Sequence, residues 1–438
     1  MDLSRRKLLR QITRSALVVP ALPGFAQTTP QEVAQDSPEF AAFHLSPQDD
    51  QFLEDLEKAN FQFFWEQAGP DTGLIKDRCN IRTADNSTVA SIAATGFGLT
   101  ALCIGQQRGY VSLSDARERV IKTLRTLWNV MPNHRGFFYH FANIKTGERI
   151  WDSEISSIDT SILLCGILMC RRHFRSSQLT RLAYDIFNRV EWNWLSEDTN
   201  LVSHGWSPEG GFLPYRWGDY SELMMMYLLG LGSASHPLPA AAWHAWKRTI
   251  FEYDGLRYVG SFAPLFVHQY SEAWFDFRGK RDSYIDYFKN SATATAAHRL
   301  FCLELSKRFP DYSDDLWGIT ASDSQFGYVA WGGPPEMGPI DGTVVPSAPA
   351  GSLAFLPQPT LRVLKHMKDR YGQHAWSRYG FINAFNPLTN WYDTDVIGID
   401  TGITMLMAEN LRTGFVWNTF MKNPEAGRGL ERAGFYSF

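Results

Sequence analysis

The stretch from Arg149 to Cys170, RIWDSEISSIDTSILLCGILMC, decides the fold. From Ile155 onward it has the composition of a helix that is apolar nearly all round, and a helix of that kind must be buried on most of its sides. The carboxylates of Asp152, Glu154 and Asp159 stand before or just inside the apolar run. The stretch therefore predicts an inner helix of a large helical protein, with acidic side chains at its start.

Other segments repeat this pattern along the chain and alternate with amphipathic ones. The further apolar segments are TVASIAATGFGLTALCIG (88–105), SELMMMYLLGLGS (221–233), PLFVHQYSEAWF (264–275), GSLAFLPQPTLRVL (351–364) and IDTGITMLMAENL (399–411). The segments with one charged and one apolar face are 47–68, 112–129, 176–195, 238–253 and 290–309. We predict an all-α fold, an (α/α)6 toroid with six inner helices, as a single domain over residues 46–438. A helical solenoid is the alternative, but its repeats should match one another in sequence, and these do not.

The composition indicates a folded globular protein. The 438 residues are 44% hydrophobic and 20% charged, which allows a large core and argues against general disorder. The N-terminus carries paired arginines, Arg5 and Arg6, before a short apolar stretch and small residues at a cleavage site. We interpret residues 1–26 as a twin-arginine-type signal peptide and residues 27–45 as a disordered leader. The mature chain is then expected to be periplasmic or secreted, away from the membrane.

The net charge and the cysteine pattern limit the classes of partner and cofactor that we expect. Removal of residues 1–26 moves the formal charge from −4 to −8, and an acidic chain without a basic run is a poor nucleic-acid binder. The five cysteines lie in apolar segments and are interpreted as small buried residues, with a Cys165–Cys170 disulfide as the alternative. The spacing of cysteines and histidines predicts no metal site, and no motif indicates a cofactor. We expect a monomer that binds no nucleic acid.

Four connections between the apolar segments are rich in aromatic residues, glycine, arginine and carboxylates: 133–154, 202–222, 322–352 and 380–402. At one rim of a toroid such loops surround a common cavity, and aromatic faces beside polar groups suit sugar rings. The alternative is that these aromatics only pad the loops. We predict substrate binding by Trp151, Tyr139, His140, Trp206, Tyr215, Arg216, Trp217, Trp274, Trp331, Trp391 and Tyr392. The segment 322–352 is interpreted as a cover over the cleft.

The acidic residues allow two interpretations. Ser156-x-x-Asp159 and Asp219-x-x-Glu222 both fit capping boxes, in which the acids serve only the helix ends. Glu154 stands ahead of the first box, where no helix needs it, and Asp400 begins a third apolar segment. Glycoside hydrolysis needs two opposed carboxyl groups, one to donate a proton and one to activate water. We therefore predict Glu222 and Glu154 as the catalytic pair, with Asp152 and Asp219 as acids beside them and Asp400 at the start of a third inner helix.

Four stretches together resemble a known family. They are WDSEISSIDTSILLCGIL (151–168), SPEGGFLPYRWGDYSELMMMYLLGLGS (207–233), VHQYSEAWFDFRG (267–279) and VIGIDTGITMLMAENLRTGFVW (396–417). In this order they are similar to the bacterial glucoamylase-like domain family, which includes the endo-β-1,2-glucanases of glycoside hydrolase family 144. The resemblance covers residues 50 to 420 approximately.

The resemblance implies an (α/α)6 barrel and an exported hydrolase that cleaves a β-glucan, foremost a β-1,2-glucan, with inversion. Matched by motif, Glu154 and Glu222 fall at the catalytic acidic positions, and Asp159 and Asp400 fall at positions of supporting acids. Asp152 competes with Glu154 in the first loop. Glu222 is the expected proton donor, and Glu154 or a nearby acid the expected base. Related domains also transfer glucan chains, so transglycosylation stays open. The residues also leave open a polysaccharide lyase and a non-catalytic glycan-binding protein.

Overall fold

A computed structural model describes residues 43–197 and 199–438. The predicted signal peptide, 1–26, and all of the predicted leader except residues 43–45 lie outside the described residues, so both stay predictions. Among the described helices, none combines the length and the apolar character that crossing a bilayer requires.

Helices form the body of the structure. In chain order they are α1 Pro47–Glu66, α2 Ile92–Arg108, α3 Leu113–Asn129, α4 Ser157–His173, α5 Ser177–Asn188, α6 Trp192–Ser196, α7 Met224–Gly232, α8 Ala241–Ala245, α9 Tyr287–Leu305, α10 Ser347–Ala350, α11 Pro357–Ala375, α12 Gly398–Arg412, α13 Phe415–Phe420 and α14 Pro424–Arg432. Two 3₁₀ turns, Leu265–His268 and Ser271–Ala273, lie between α8 and α9.

Short strands join these helices. They are β1 Arg78–Asn80, β2 Val89–Ser91, β3 Asn133–His134, β4 Phe137–Phe138, β5 Phe141–Asn143, β6 Ile155–Ser156, β7 Gly205–Ser207, β8 Gly211–Phe212, β9 Thr249–Tyr253, β10 Leu256–Gly260, β11 Lys280–Arg281, β12 Trp376–Ser377, β13 Gly380–Phe381, β14 Phe385–Asn386, β15 Trp391–Tyr392, β16 Asp395–Ile397 and β17 Tyr436–Ser437. Two antiparallel pairs matter for the site: β1 with β16, and β2 with β5. They fasten the loops in front of α2 and α12 to one another and to the loop in front of α4.

The inner helices are buried as their composition predicts. Nearly every residue of α4 from Ser157 to Cys170 is buried, and α2 and α7 are buried to the same degree. The helices α1, α3, α5 and α11 instead bury one face and expose the other. This arrangement is consistent with the predicted (α/α)6 toroid. All five cysteines are buried free thiols, and the Sγ atoms of Cys103 and Cys170 lie 3.6 Å apart.

Two glycines let α2 and α4 pack backbone against backbone. A Cβ atom at Gly166 would lie 2.1 Å from the carbonyl oxygen of Gly96, far inside van der Waals contact. A Cβ at Gly96 would lie 2.4 Å from the carbonyl oxygen of Ile162. Any side chain at either position would have to push the two helices apart.

Replacing Gly166 by alanine is therefore expected to lower the free energy of unfolding by about 2–3 kcal/mol, because the added methyl group meets rigid backbone. Urea unfolding followed by circular dichroism measures the change. Gly427, on α14, is the matched control, since nothing lies within 4 Å of its added Cβ. Alanine there should leave stability unchanged or raise it by about 0.5–1 kcal/mol. Equal effects at the two glycines would contradict the proposed close packing.

Three predicted helices have a different structure. Residues 238–253 contain only the short helix α8, followed by strand β9, which pairs with β10 through a turn at Asp254 and Gly255. Residues 264–275 form 3₁₀ turns, although they are buried as predicted. Residues 351–364 are divided at Pro357, where the amphipathic helix α11 begins.

Helix α9 is also more buried than its predicted place in the outer layer requires. Its first half is buried on nearly all sides, because the β9–β10 hairpin covers it. Tyr258 of this hairpin packs against Ala294 and Ala297, and the Asn290 side chain bonds to both backbone groups of Val259. The small alanine, serine and threonine side chains of α9 make this close cover possible.

A buried ionic cluster joins the first and last long helices. Arg412 at the end of α12 donates to Glu57 at 2.7 Å, to Asp50 at 2.7 Å and to Glu54 at 2.8 Å, all on α1. Arg108 at the end of α2 pairs with Glu409 at 2.7 Å. The cluster therefore closes the ring of helices at the end where α2 and α12 terminate.

Candidate active site

The starts of three inner helices, α2, α4 and α12, meet at a cavity of about 430 Å³. Ser91 in front of α2, Asp159 in α4 and Asp400 in α12 all contribute to its wall. A small adjoining cavity is lined by Gln269 of the 3₁₀ segment and Ser347 at the start of α10. The full lining of the main cavity is Asp77, Arg78, Ser87, Val89, Ser91, Ala93, His140, Phe141, Trp151, Asp159, Ala321, Asp323, Ser324, Gly327, Tyr328, Asn383, Trp391, Asp393, Asp395, Ile397, Ile399 and Asp400.

On the α4 side, Asp159 takes part in the cap of the helix and also lines the cavity. The Ser156 hydroxyl accepts from the backbone N–H of Asp159 at 3.2 Å and donates to its Oδ2 at 2.5 Å. Asp159 thus serves the helix start, as the capping box predicts, and it also lines the cavity. His140 lies between two acids, with Nε2 3.5 Å from Asp159 Oδ2 and Nδ1 3.3 Å from Glu154 Oε1.

On the α12 side, Asp400 is held in place by an asparagine. Asn383 Nδ2 donates to Asp400 Oδ2 at 2.6 Å, and Asn383 Oδ1 accepts from the backbone N–H of Asp323 at 2.8 Å. Burial, reinforced by the Asp323 carboxylate, raises the pKa of Asp400 to about 7 against the hydrogen bond from Asn383. Asp400 therefore exchanges its proton near neutral pH, as a catalytic acid or base must.

One arginine organises the other acids of this wall. Arg78, on β1, contacts Asp323 Oδ2 at 2.6 Å, Asp77 Oδ2 at 3.0 Å and Asp395 Oδ2 at 3.7 Å. The pairing of β1 with β16 brings Arg78 beside Asp395, from the far end of the sequence. Asp393 lies next to this group, and burial with the nearby carboxylates raises its pKa to about 7.

The sequence-predicted acids occupy three kinds of position. Asp159 and Asp400 line the cavity. Glu154 and Glu222 are buried, with 6% and 3% of their surface exposed, and neither forms part of the cavity wall. Asp152 is exposed, and Asp219 is an exposed residue 3.9 Å from Lys247. Because α7 begins only at Met224, Asp219 does not cap this helix.

Glu222 stands two residues before the inner helix α7. Glu154 likewise precedes the inner helix α4, and Asp400 lies in the first turn of α12. The carbonyl oxygen of Glu222 accepts from the Ser271 hydroxyl at 2.8 Å, and this hydroxyl also accepts from the N–H of Met225. Phe266, Gln269 and Tyr270 of the same 3₁₀ segment line the small adjoining cavity. The backbone of Glu222 therefore contacts Ser271, whose neighbours Gln269 and Tyr270 line the small adjoining cavity.

Three of the predicted substrate-binding residues line the cavity, namely His140, Trp151 and Trp391. Trp151 is 55% exposed and stands at the mouth. The structure does not bring the others to the cavity wall. Tyr139 packs under Arg149, Trp206 stacks on His134, Trp217 bonds to Ser157, Trp274 bonds to Thr100, Trp331 bonds to Ser322, Tyr392 stacks on Phe385, Tyr215 lies beside His204, and Arg216 bonds to Glu197 and nearby carbonyl groups.

Two of the predicted substrate-binding indoles lie in the core, away from the cavity wall. Trp274 and Trp331 are almost fully buried, and the indole N–H of each donates a hydrogen bond to a side-chain hydroxyl of the core. Neither indole lines the cavity, so a contact of Trp274 or Trp331 with substrate stays a prediction. In the segment 322–352, Ser324, Gly327 and Tyr328 line the cavity, and Phe326 stands 86% exposed beside them.

Sequence reasoning missed several cavity residues, chiefly Asp77, Arg78, Asp323, Asn383, Asp393 and Asp395. Arg78 and Asp77 stand well ahead of the nearest apolar segment, so their distance from any predicted inner helix concealed them. Asp393 and Asp395 were visible as acids in front of Asp400. Two acids directly before an apolar segment were therefore the signal in the sequence that could have indicated these cavity residues.

Comparisons with known proteins agree with this architecture. The family model described as putative glucoamylase matches residues 214–424. A curated relative, the exo β-1,2-glucooligosaccharide sophorohydrolase (non-reducing end) of Parabacteroides distasonis, is 26% identical over 91% of this chain. The chain spans 60% of the length of that relative.

Solved structures match the chain over most of both lengths. A putative glucoamylase from Bacteroides uniformis is 29% identical, with 90% of this chain and 99% of the other covered, at a TM-score of 0.84. An endo-β-1,2-glucanase from Chitinophaga pinensis, solved with sophorotriose and glucose, is 28% identical with the same coverage, at a TM-score of 0.81. The predicted resemblance of this chain to the bacterial glucoamylase-like domain family, and to the endo-β-1,2-glucanases of glycoside hydrolase family 144, is confirmed.

Proposed function

We propose that this protein is a glycoside hydrolase that cleaves β-1,2-glucan by an inverting mechanism with two carboxyl groups. The observation that carries the proposal is Asp400, which lines the cavity at the start of an inner helix and has a pKa near 7. The similarity to proteins named as β-1,2-glucanases supports the choice of linkage.

The two carboxyl groups have different roles in this proposal. Asp400 acts as the general base, in place of the sequence-predicted Glu154, because Asp400 lines the cavity and its pKa is raised to about 7. The N-terminus of α12 favours the anionic form that removes a proton from water. Glu222 keeps its predicted role and donates a proton to the glycosidic oxygen. Water then attacks the anomeric carbon from the face opposite the leaving group as the bond breaks.

The charge of the cavity favours a neutral glucan over an acidic polysaccharide. Within the described residues, six aspartates line the main cavity beside a single arginine, and Arg78 already contacts three of these carboxylates. A uronate chain would be repelled by this wall, whereas sugar hydroxyls can donate to it. The lyase alternative therefore has little support.

The experiment is incubation of the purified protein with linear β-1,2-glucan, and in parallel with β-1,3- and β-1,4-glucans, while new reducing ends are measured. We expect new ends with β-1,2-glucan. Proton NMR at early times should show the α-anomer forming first, because inversion of a β-linkage gives that product. The absence of new reducing ends on every β-glucan would refute the proposal, and products longer than the substrate would indicate chain transfer.

A further inference from the structure

We propose that Asp393 is a substrate-recognition residue, whose Oδ2 atom forms a hydrogen bond with a sugar hydroxyl in the cavity. This inference rests on the proposed function and adds a residue that neither the sequence motifs nor the catalytic pair includes. It extends the proposed function from the two catalytic carboxyl groups to the recognition of one sugar hydroxyl near Asp400.

The position of Asp393 is fixed by the backbone around it. Its N–H donates to the carbonyl oxygen of Ala384 at 3.0 Å, and its Oδ1 accepts from the N–H of Asp395 at 3.2 Å. The side chain lines the cavity, yet only 7% of the residue is exposed. Asp393 is therefore a built part of the wall and not a mobile surface acid.

The Oδ2 atom of Asp393 is buried and has no hydrogen-bond partner among the described residues. No other side chain of the main cavity wall leaves a fully buried polar atom unpartnered in that part of the chain. A buried, unsatisfied polar atom costs about 1–3 kcal/mol of stability, and a carboxylate among other carboxylates costs more. Arg78, whose charge lowers the pKa of Asp393, is already in contact with Asp77, Asp323 and Asp395.

A sugar hydroxyl satisfies this atom in either protonation state. Because the pKa of Asp393 is about 7, Oδ2 is present near neutral pH both as an acceptor and as a hydroxyl donor. A hydroxyl of glucose can donate in the first case and accept in the second. A site built to hydrogen-bond a hydroxyl discriminates strongly against ligands without it, since the buried group is then left unpaired.

The test compares Asp393→Ala and Asp393→Asn with the wild-type protein. We expect Asp393→Ala to lower kcat/KM on β-1,2-glucan about 10- to 100-fold, as the loss of one hydrogen bond to a charged group predicts. The melting temperature of Asp393→Asn should rise or stay unchanged, because its amide oxygen keeps the hydrogen bond from the N–H of Asp395 while the buried charge is removed. Asparagine keeps a hydrogen-bonding side chain of the same shape, so Asp393→Asn should restore part of the lost kcat/KM.

The matched control is Asp314→Asn, an exposed aspartate that pairs with Arg299 on the surface and should leave kcat/KM unchanged. If both Asp393 variants keep kcat/KM within about twofold of wild type, or if the loss in Asp393→Asn follows a falling melting temperature, the recognition role is overturned. A wild-type protein that cleaves no β-glucan refutes the proposed function itself. Wild-type cleavage with unaffected Asp393 variants refutes only the recognition role of Asp393.

Discussion

Replacing Asp400 by asparagine is expected to lower kcat for β-1,2-glucan about 10²- to 10⁴-fold, the usual contribution of a general acid or base. The amide has the shape of the carboxyl group and can still accept the hydrogen bond from Asn383, so the fold should be retained. What is lost is the ability to take a proton from water. Steady-state kinetics, with the melting temperature as a check on folding, measures the effect.

The pH dependence of the same reaction tests the role of Asp400. A general base must be ionised, so kcat/KM of the wild type should rise as the pH passes through about 7. The hydrogen bond from Asn383 lowers the pKa of Asp400, so Asn383→Ala should move this rise to higher pH. The Asp400→Asn variant should lose this limb of the profile.

The controls separate chemistry from folding. Asp314→Asn removes an exposed carboxylate and should keep wild-type kinetics. Glu222→Gln should cause a loss comparable to that of Asp400→Asn, and the double variant should lose much less than the product of the two, because the groups act in one step. Activity that falls through pH 7 would assign proton donation to Asp400 instead, and full activity of Asp400→Asn would remove it from the mechanism.

Replacing Arg412 by methionine is expected to lower the free energy of unfolding by about 3–5 kcal/mol, the cost of breaking a buried ion pair from one side. Only 3% of the Arg412 side chain is exposed, and its loss leaves Glu57 without its closest cation. Burial raises the pKa of Glu57, and the Glu409 carboxylate raises it further, while Arg412 opposes both effects. Urea unfolding of the variant at pH 8 measures the destabilisation.

The sign of the pH effect follows from this raised pKa. A carboxyl group that holds its proton more tightly in the folded state stabilises that state as the pH falls. Without Arg412 the pKa of Glu57 rises further, so the destabilisation should be smaller at pH 5 than at pH 8. The control is Arg308→Met, which breaks an exposed pair with Glu336 and should change stability by less than about 1 kcal/mol. An Arg412 variant as stable as this control would contradict a structural role for the cluster.

The fold was predictable where helices are uniformly apolar or clearly amphipathic, because both patterns dictate burial directly. Residues 238–253 were predicted wrongly as a helix, although Asp254-Gly255 after the alternating stretch TIFEY is the strongest short signal for a hairpin. The error at α9 follows from this one. Its place in the outer layer was inferred without the hairpin that covers it, so the burial of Ala294 and Ala297 had no visible cause.

The candidate site was predictable only where acids adjoin inner helices. Asp159 and Asp400 were found in this way because a helix start fixes the position of its neighbours. Arg78 and Asp323 are more than 240 residues apart in the sequence yet lie 2.6 Å apart, and no local pattern encodes that contact. Aromatic composition alone also failed to separate Trp151 at the mouth from Trp274 in the core.

Closure of the ring by α1 and α12 has a consequence for how the chain folds. The contact between Arg412 and Glu57 spans 355 residues, and the pairing of β1 with β16 is almost as distant in sequence. Contacts between residues so far apart in the sequence form late in folding, because a long loop must be closed before they can stabilise the structure. During synthesis the faces of α1 and α2 that pack on α12 therefore stay uncovered until that last inner helix has been made. We expect this interval to be the period of greatest exposure to aggregation and of greatest dependence on chaperones.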